Sequence, residues 1–416
     1  MHWAAGIRDK RIVIEGALFL ENDGESQWRG NFSSCGSYTR LLAAVERGGS
    51  AMKWILGALV IAVGAGCSSD GGKNGPGAGS NNSSNGGSSG SSGSGPGTAA
   101  CPDPSKMLVP ASEGGIGAMG IDDANVYLLR NGTGIYSVPK SGGDPKALFE
   151  GERFFLMLKN ELLVNGDTIY FGDTDGIYKM PLAGGEPKVW IDATNMEQKL
   201  ASDADYIYFL DDTDDHDGMP HGSVKKAKKA DGQVTTLASG QAGPTGILLA
   251  GDTLYWQNVG SAKSGLLERA SDGGLMSVSK NGGSPRTLFT PKTDGSGIQL
   301  AGSLSDLAAD GTSVYFGSVN LEAFEDSGTF KVAVGGGAPQ KLDNLLTVSA
   351  FIDGGSLFVD NGDRIAKVAL SSGAETDLAC FDPMNGSVMM VHDDSHVYFM
   401  KGEGNDQYGV RSLSYR

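Results

Sequence analysis

From about residue 101 onward the chain repeats one pattern seven times, and no other feature restricts its fold as strongly. An apolar residue followed by an aromatic one recurs as Val126-Tyr127, Ile169-Tyr170, Ile207-Tyr208, Leu254-Tyr255, Val314-Tyr315, Leu357-Phe358 and Val397-Tyr398, with the aromatics 38 to 60 residues apart. Asp stands five residues before the aromatic at Asp122, Asp203, Asp310, Asp353 and Asp393, with Asn165 and Ala250 in the other two repeats. A Gly-Gly-x-Pro turn follows at Gly142–Pro145, Gly184–Pro187, Gly282–Pro285 and Gly336–Pro339; the third and sixth repeats keep only Asp231-Gly232 and Ser372-Gly373.

Each mark has a physical reason. Asp caps a tight turn by accepting backbone N–H bonds two residues on. An apolar-aromatic pair suits a buried strand. Gly-Gly supplies positive φ, and the Pro opens an outer strand where a missing N–H costs little. One repeat therefore reads as strand, Asp turn, strand, loop, strand, Gly turn, strand. The expected fold is all-β: a seven-bladed β-propeller of four-stranded antiparallel blades over residues 101–416. The seventh repeat ends at Arg416 without its outermost strand, whereas Lys106–Pro110 resembles the outer strands Lys146–Phe149 and Arg286–Phe289. That amino-terminal segment is expected to close the ring and so remove an exposed edge.

With these repeats the chain resembles the YWTD-type and Tol-type propellers over residues 106–416, although the signature tetrapeptide is absent and Tyr255-Trp256 is its nearest trace. The resemblance implies the fold and an exported protein. Relatives mostly bind proteins or glycans, and a minority are enzymes.

Upstream, Lys53 precedes an apolar run from Trp54 to Val63 that is too short to span a bilayer as a helix. The stretch 52–66 resembles a bacterial lipoprotein signal with Gly64-Ala65-Gly66-Cys67 as lipobox, which implies lipidation of Cys67 and a place in the cell envelope, at the periplasmic or surface face of the outer membrane. Two or three acyl chains anchor stably where one does not. Translation is expected to start at Met52, leaving residues 1–51 as a mis-assigned upstream extension; a genuine short extension is the alternative. Residues 68–100 hold 11 Gly and 10 Ser and bury nothing, so they read as a flexible stalk. Its span is about 30 Å by the scaling for Gly-rich chains. Cys101 and Cys380 remain after Cys67 takes the lipid, and they either pair as a disulfide or stay as two thiols. A formal net charge of −16 argues against nucleic acid, whose phosphates require a basic footprint.

Between aromatic and Gly turn the repeats differ. The interval is 14 or 15 residues in repeats one, two and six, but 23, 27 and 21 in repeats three, four and five. The insertions fall between second and third strands, and their clustering on neighbouring blades predicts a binding rim. The rim candidates are Asp211, Asp212, Asp214, Asp215, His216, Asp217 and His221 in the third repeat, Lys263 and Arg269 in the fourth, and Phe324 in the fifth. Acidic, basic and apolar residues together suit a protein or glycan partner for a monomeric propeller. No cofactor is expected, with one option: Asp215 and Asp217 could contribute to a Ca²⁺ site. Thr213 at the first ligand position and Val224 at the twelfth exclude an EF-hand, and a solvated acidic loop is the simpler reading. The alternative function is a sugar or lactone hydrolase or lyase with a metal in the central channel, and no catalytic residue can be named. His392 and His396 flank the Asp393-Asp394 turn and read as solvent-facing.

Overall fold

The computed structural model describes residues 101–416 except 102, 112–114, 152–159, 174–175, 193–198, 212–220, 261–272, 293–297, 302–304, 319–326, 346, 382–385 and 404–407; upstream of Cys101 it describes only short strands between Val13 and Ala62. The chain divides into two units, Met1–Gly90 and Ser91–Arg416. In the first, Ala17–Asn22 pairs antiparallel with Glu25–Arg29, and Thr39–Leu41 with Val60–Ala62. Cys67 and the stretch 68–100 lie outside the described residues.

The second unit is a seven-bladed β-propeller of antiparallel blades. Blade 1 runs outward from the axis as Ile116–Ile121, Asn125–Arg130, Gly134–Pro139 and Lys146–Glu150. Blade 7 is completed from the other end of the chain: Ser387–His392, His396–Gly402 and Tyr408–Ser414 are followed outward by Lys106–Val109, with Val109 opposite Val410. Leu108 and Val109 are buried in the apolar cluster between blades 7 and 1. A disulfide reinforces this closure. Cys101 bonds Cys380, the last residue of the outer strand of blade 6 (Glu375–Cys380), with their Cα atoms 5.6 Å apart.

The aromatic mark of each repeat sits in the second strand of its blade and is at most 6 % exposed throughout. The next residue points to the opposite face of the sheet and is also buried, as Phe171, Phe209, Trp256, Phe316 and Phe399 show. Both faces of a second strand thus feed interfaces with neighbouring blades, and the core is divided into apolar clusters at the blade junctions.

Antiparallel alternation sorts the connections onto two faces. One face carries the turns between first and second strands and between third and fourth. There Gly142 and Gly143 adopt φ of 93° and 137°, values mirrored at the other three Gly-Gly turns. Asp122 Oδ1 accepts the N–H groups of Ala124 and Asn125 at 2.8 and 2.7 Å, the expected turn cap. Its Oδ2 takes the hydroxyl of Tyr127 at 2.6 Å, closing a latch across the hairpin. The same latch joins Tyr208 to Asp203 (2.9 Å), Tyr315 to Asp310 (2.8 Å) and Tyr398 to Asp393 (3.0 Å). Lysines connect latches to adjacent blades: Lys140 of blade 1 reaches Asp393 at 2.7 Å, and Lys280 of blade 4 reaches Asp203 at 3.3 Å. In blade 6 the aromatic is Phe358, and Asp353 instead accepts Arg416 at 2.9 Å.

Candidate functional site

The other face carries the connections between second and third strands and those from one blade to the next. The long insertions of blades 3, 4 and 5 leave this face between Asp211 and Gly222, Asn258 and Gly274, and Ser318 and Gly328. Of the rim candidates, Asp212, Asp214, Asp215, His216, Asp217, Lys263, Arg269 and Phe324 lie outside the described residues. His221 is described and exposed. Asp211 differs from the expectation of a free rim residue: it ends the second strand of blade 3, is 9 % exposed, and is ion-paired with Lys225. Strand register pairs Asp211 with Ser223 and Phe209 with Lys225, so Lys225 lies diagonally across on the same sheet face and the carboxylate is committed before the loop begins.

The central channel holds a cavity of about 460 Å³ lined by the inner strands of the blades. Its charged residues are Glu161, Lys199 and Asp306, with His392 at the turn-face end. Glu161 belongs to the short stretch Asn160–Glu161, which leaves blade 1 for blade 2 and pairs parallel with the inner strand of blade 1, opposite Met119. The chain passes so close that a Cβ on Gly120 would lie 1.8 Å from the carbonyl oxygen of Leu162; only glycine permits this crossing. Lys199 precedes the inner strand of blade 3, Asp306 that of blade 5, and Ser349 opens that of blade 6.

These residues meet at the loop-face end of the channel. Lys199 Nζ lies 2.7 Å from Asp306 Oδ1, and the Ser349 hydroxyl donates to Asp306 Oδ2 at 2.7 Å. Lys199 and Asp306 side chains retain 28 % and 21 % exposure, which places their charged ends against the cavity. Burial works to strip the proton from Lys199, but the Asp306 and Glu161 carboxylates outweigh it and hold the ammonium form. Burial pushes the Glu161 carboxyl up, against the pull of Lys199 and with the repulsion of Asp306. At the opposite end His392 stacks on Phe351 with ring centroids 3.7 Å apart, so it lines the channel floor as well as meeting solvent. His396 bonds Ser395 through Nδ1 at 2.8 Å.

Reading along the chain did not find this group, yet a signal exists. Glu161, Lys199, Asp306 and Ser349 each stand four residues before the turn position held by Asn165, Asp203, Asp310 and Asp353. The same column holds Ala118, Gly246 and Met389 in the other blades. Among the described residues, the one trio of potential metal ligands is Cys101, Asp377 and Cys380, and its two sulfurs are bonded to each other.

No protein-family model and no curated protein sequence matches the chain. Similar solved structures include two of the extracellular domain of a B. thetaiotaomicron protein described as a one-component or hybrid two-component system, with 13 % identity and TM-scores of 0.53 and 0.52. Each covers 75 % of this chain, which spans only 40 % of that protein's length. A TolB protein from Agrobacterium tumefaciens aligns with 58 % of this chain and 87 % of its own at 16 % identity and a TM-score of 0.40. At these identities the likeness is one of fold.

Proposed function

We propose that the chain is an exported, lipid-anchored β-propeller of the cell envelope that captures a protein or glycan through its loop face, on the sector built by blades 3 to 5. The observation that carries this reading is the asymmetry of the two faces. One carries short, repeated, latched turns, and the other carries the strand ends of blades 3, 4 and 5 from which the three long insertions depart. Loops on a closed scaffold vary in length at small cost, so an insertion-rich sector can be shaped for a partner without endangering the ring.

The anchoring geometry supports the same assignment. Cys67 would carry the lipid and residues 68–100 the stalk, which would enter the ring at the Cys101–Cys380 disulfide between blades 7 and 6. Seven-fold geometry sets that junction across the ring from blade 3, so the tether, although it enters on the loop face where Cys380 ends its strand, lies opposite the insertion sector. No helix among the described residues is long and apolar enough to cross a membrane. The extracellular origin of the B. thetaiotaomicron relative of like fold agrees with export. A metal-dependent hydrolase or lyase finds less support. The described channel lining offers Glu161 and an Asp306 whose two oxygens are already engaged, with Lys199 beside them where a third ligand would be needed.

The test is partner capture from detergent-solubilised envelope by the full chain. Variants in which 212–220, 261–272 and 319–326 are each cut to the length of the blade 2 connection should keep the parent's melting temperature and lose capture. Capture that survives all three shortenings, or cross-links that map to the turn face, would overturn the assignment.

A further inference from the structure

Among the described residues the channel cavity contains one carboxylate, Glu161, that no side chain meets directly. Asp306 is saturated: one oxygen takes Lys199 at 2.7 Å and the other takes Ser349 at 2.7 Å. Lys199 is correspondingly neutralised by Asp306. Glu161 faces the same space and feels both charges, but among the described residues no donor stands within hydrogen-bonding distance of its carboxylate. It lies inside the ring, and solvent reaches it through the cavity. A carboxylate so placed, with no protein donor beside it, is open to a cation that enters the cavity.

We infer that this cavity is a binding site for a small organic cation, a primary aliphatic amine whose ammonium group meets Glu161 and whose carbon chain extends down the channel. Three features select that class. With Glu161 ionised the charge sum of Glu161, Lys199 and Asp306 is −1, so a monocation that meets Glu161 brings the site to neutrality. Below the charged layer Ile121, Leu249, Phe351, Ile352 and Val391 line the cavity and suit methylene groups, with Ser202 and His392 as the polar side chains at that level. A bare divalent ion fits worse, because Ca²⁺ takes six to eight oxygen ligands and, among the described residues of the lining, Glu161 is the carboxylate without a direct partner. The cavity, about 460 Å³, lies in the size range of small-molecule sites. The site is independent of the rim insertions, since none of its residues lies in 212–220, 261–272 or 319–326.

The experiment titrates the full chain with n-butylammonium chloride, n-butanol, potassium chloride and calcium chloride at constant ionic strength, read by calorimetry and by thermal melting. Saturable binding and a raised melting temperature are expected with butylammonium and not with its neutral isostere or either metal ion. Glu161→Gln should weaken amine binding at least tenfold; its own melting temperature should stay near the parent's, because solvent already reaches this side chain through the cavity. Lys199→Met should tighten amine binding if it folds, because it leaves Asp306 uncompensated too. Equal response to butanol, saturation by calcium or potassium in place of the amine, or unchanged amine affinity in Glu161→Gln would each overturn the inference. Loop-shortened variants should bind the amine as the parent does, so loss of macromolecular capture and loss of this site are separately visible.

Discussion

The two faces of the ring are built from the same seven repeats, yet one repeats its chemistry and the other does not. On the turn face, Asp-capped hairpins, Tyr latches and Gly-Gly turns recur at matching positions, and Lys140 and Lys280 extend latches to neighbouring blades. On the loop face the connections vary in length from blade to blade, and the residues converging on the channel are Glu, Lys, Asp and Ser, each used once. On the proposed reading the difference separates two jobs. Holding a ring together is the same task at every junction and selects the same residues. Recognising a ligand without seven-fold symmetry requires that the blades differ.

If stability resides in closure and in the turn face, the severest way to break the comparison is to reopen the ring. Deleting residues 101–112 removes the outer strand of blade 7, the buried side chains of Leu108 and Val109, and the disulfide. The two side chains alone contribute about 3–6 kcal/mol by burial, and an exposed edge invites association. The truncated chain should melt at least 10 °C lower and aggregate in light scattering. Parent-like melting would show that closure is dispensable.

A milder break keeps the strand and removes only the covalent staple. Cys101→Ser with Cys380→Ser opens a loop of 279 residues. Removal of a native disulfide typically costs about 2–5 kcal/mol. Denaturant midpoints of the double variant should fall, and reduction of the parent should reproduce the shift. If reduction leaves the parent midpoint unchanged, the disulfide does not hold the ring.

The latches come next. Burial works to raise the carboxyl groups of Asp122, Asp203, Asp310 and Asp393, but the hydrogen bonds they accept outweigh it and hold them below the usual range. Each partner hydroxyl is shifted the other way, by burial first and then by the carboxylate, with Tyr127 pushed up to about 12. The signs are definite. A depressed carboxyl contributes stability that is present above the unfolded value near 4 and lost as pH falls through the folded one. A raised phenol contributes stability that is present below the unfolded value near 10 and lost as pH rises toward 12. The latch contribution to melting temperature should therefore be flat between about pH 5 and 9 and fall on both sides. Tyr398→Phe should cost about 1 kcal/mol, the worth of a hydrogen bond to a charged acceptor at a partly exposed site. It should also reduce the alkaline loss. Tyr255→Phe, in a blade with Ala250 where the Asp would stand, should cost little. Equal effects of the two substitutions would deny the latch a role.

How much of this was legible follows from where each residue's partners lie. The Asp turn, the Gly-Gly turn and the closing strand were readable because each partner is local or each signal recurs. The Tyr hydroxyl was not assigned to Asp Oδ2, since that bond crosses a hairpin and emerges only when both residues are set on one sheet face. Asp211 reads as the first acid of a loop, and only register reveals Lys225 beside it. The channel group is the hardest case. Lys199 and Asp306 are 107 residues apart, Asp306 and Ser349 are 43 apart, and what unites them is a column that appears when inner strands are aligned on their turns.

The smallest expected effect is the most exacting, because it builds a latch instead of breaking one. Blade 4 keeps the tyrosine, Tyr255, and lacks the acid, with Ala250 at the turn position. In the four latched blades the hydroxyl lies 2.6 to 3.0 Å from the acid five residues earlier. Ala250 pairs with Thr253 across the hairpin, and Leu248 with Tyr255, so the register that sets the two residues on this turn is present. Ala250→Asp should then accept backbone N–H bonds of the turn and the hydroxyl of Tyr255. The expected gain is about 0.5–1 kcal/mol, the net worth of a cap or hydrogen bond less the desolvation of the new charge. Two measurements separate a latch from a general charge effect. The gain should vanish when Tyr255→Phe is added, and it should fade below pH 4, as the depressed carboxyl of a latched Asp requires. A gain that persists in the double variant would mean that the Asp acts as a turn cap alone, and that the recurring Tyr answers to packing in the second strand.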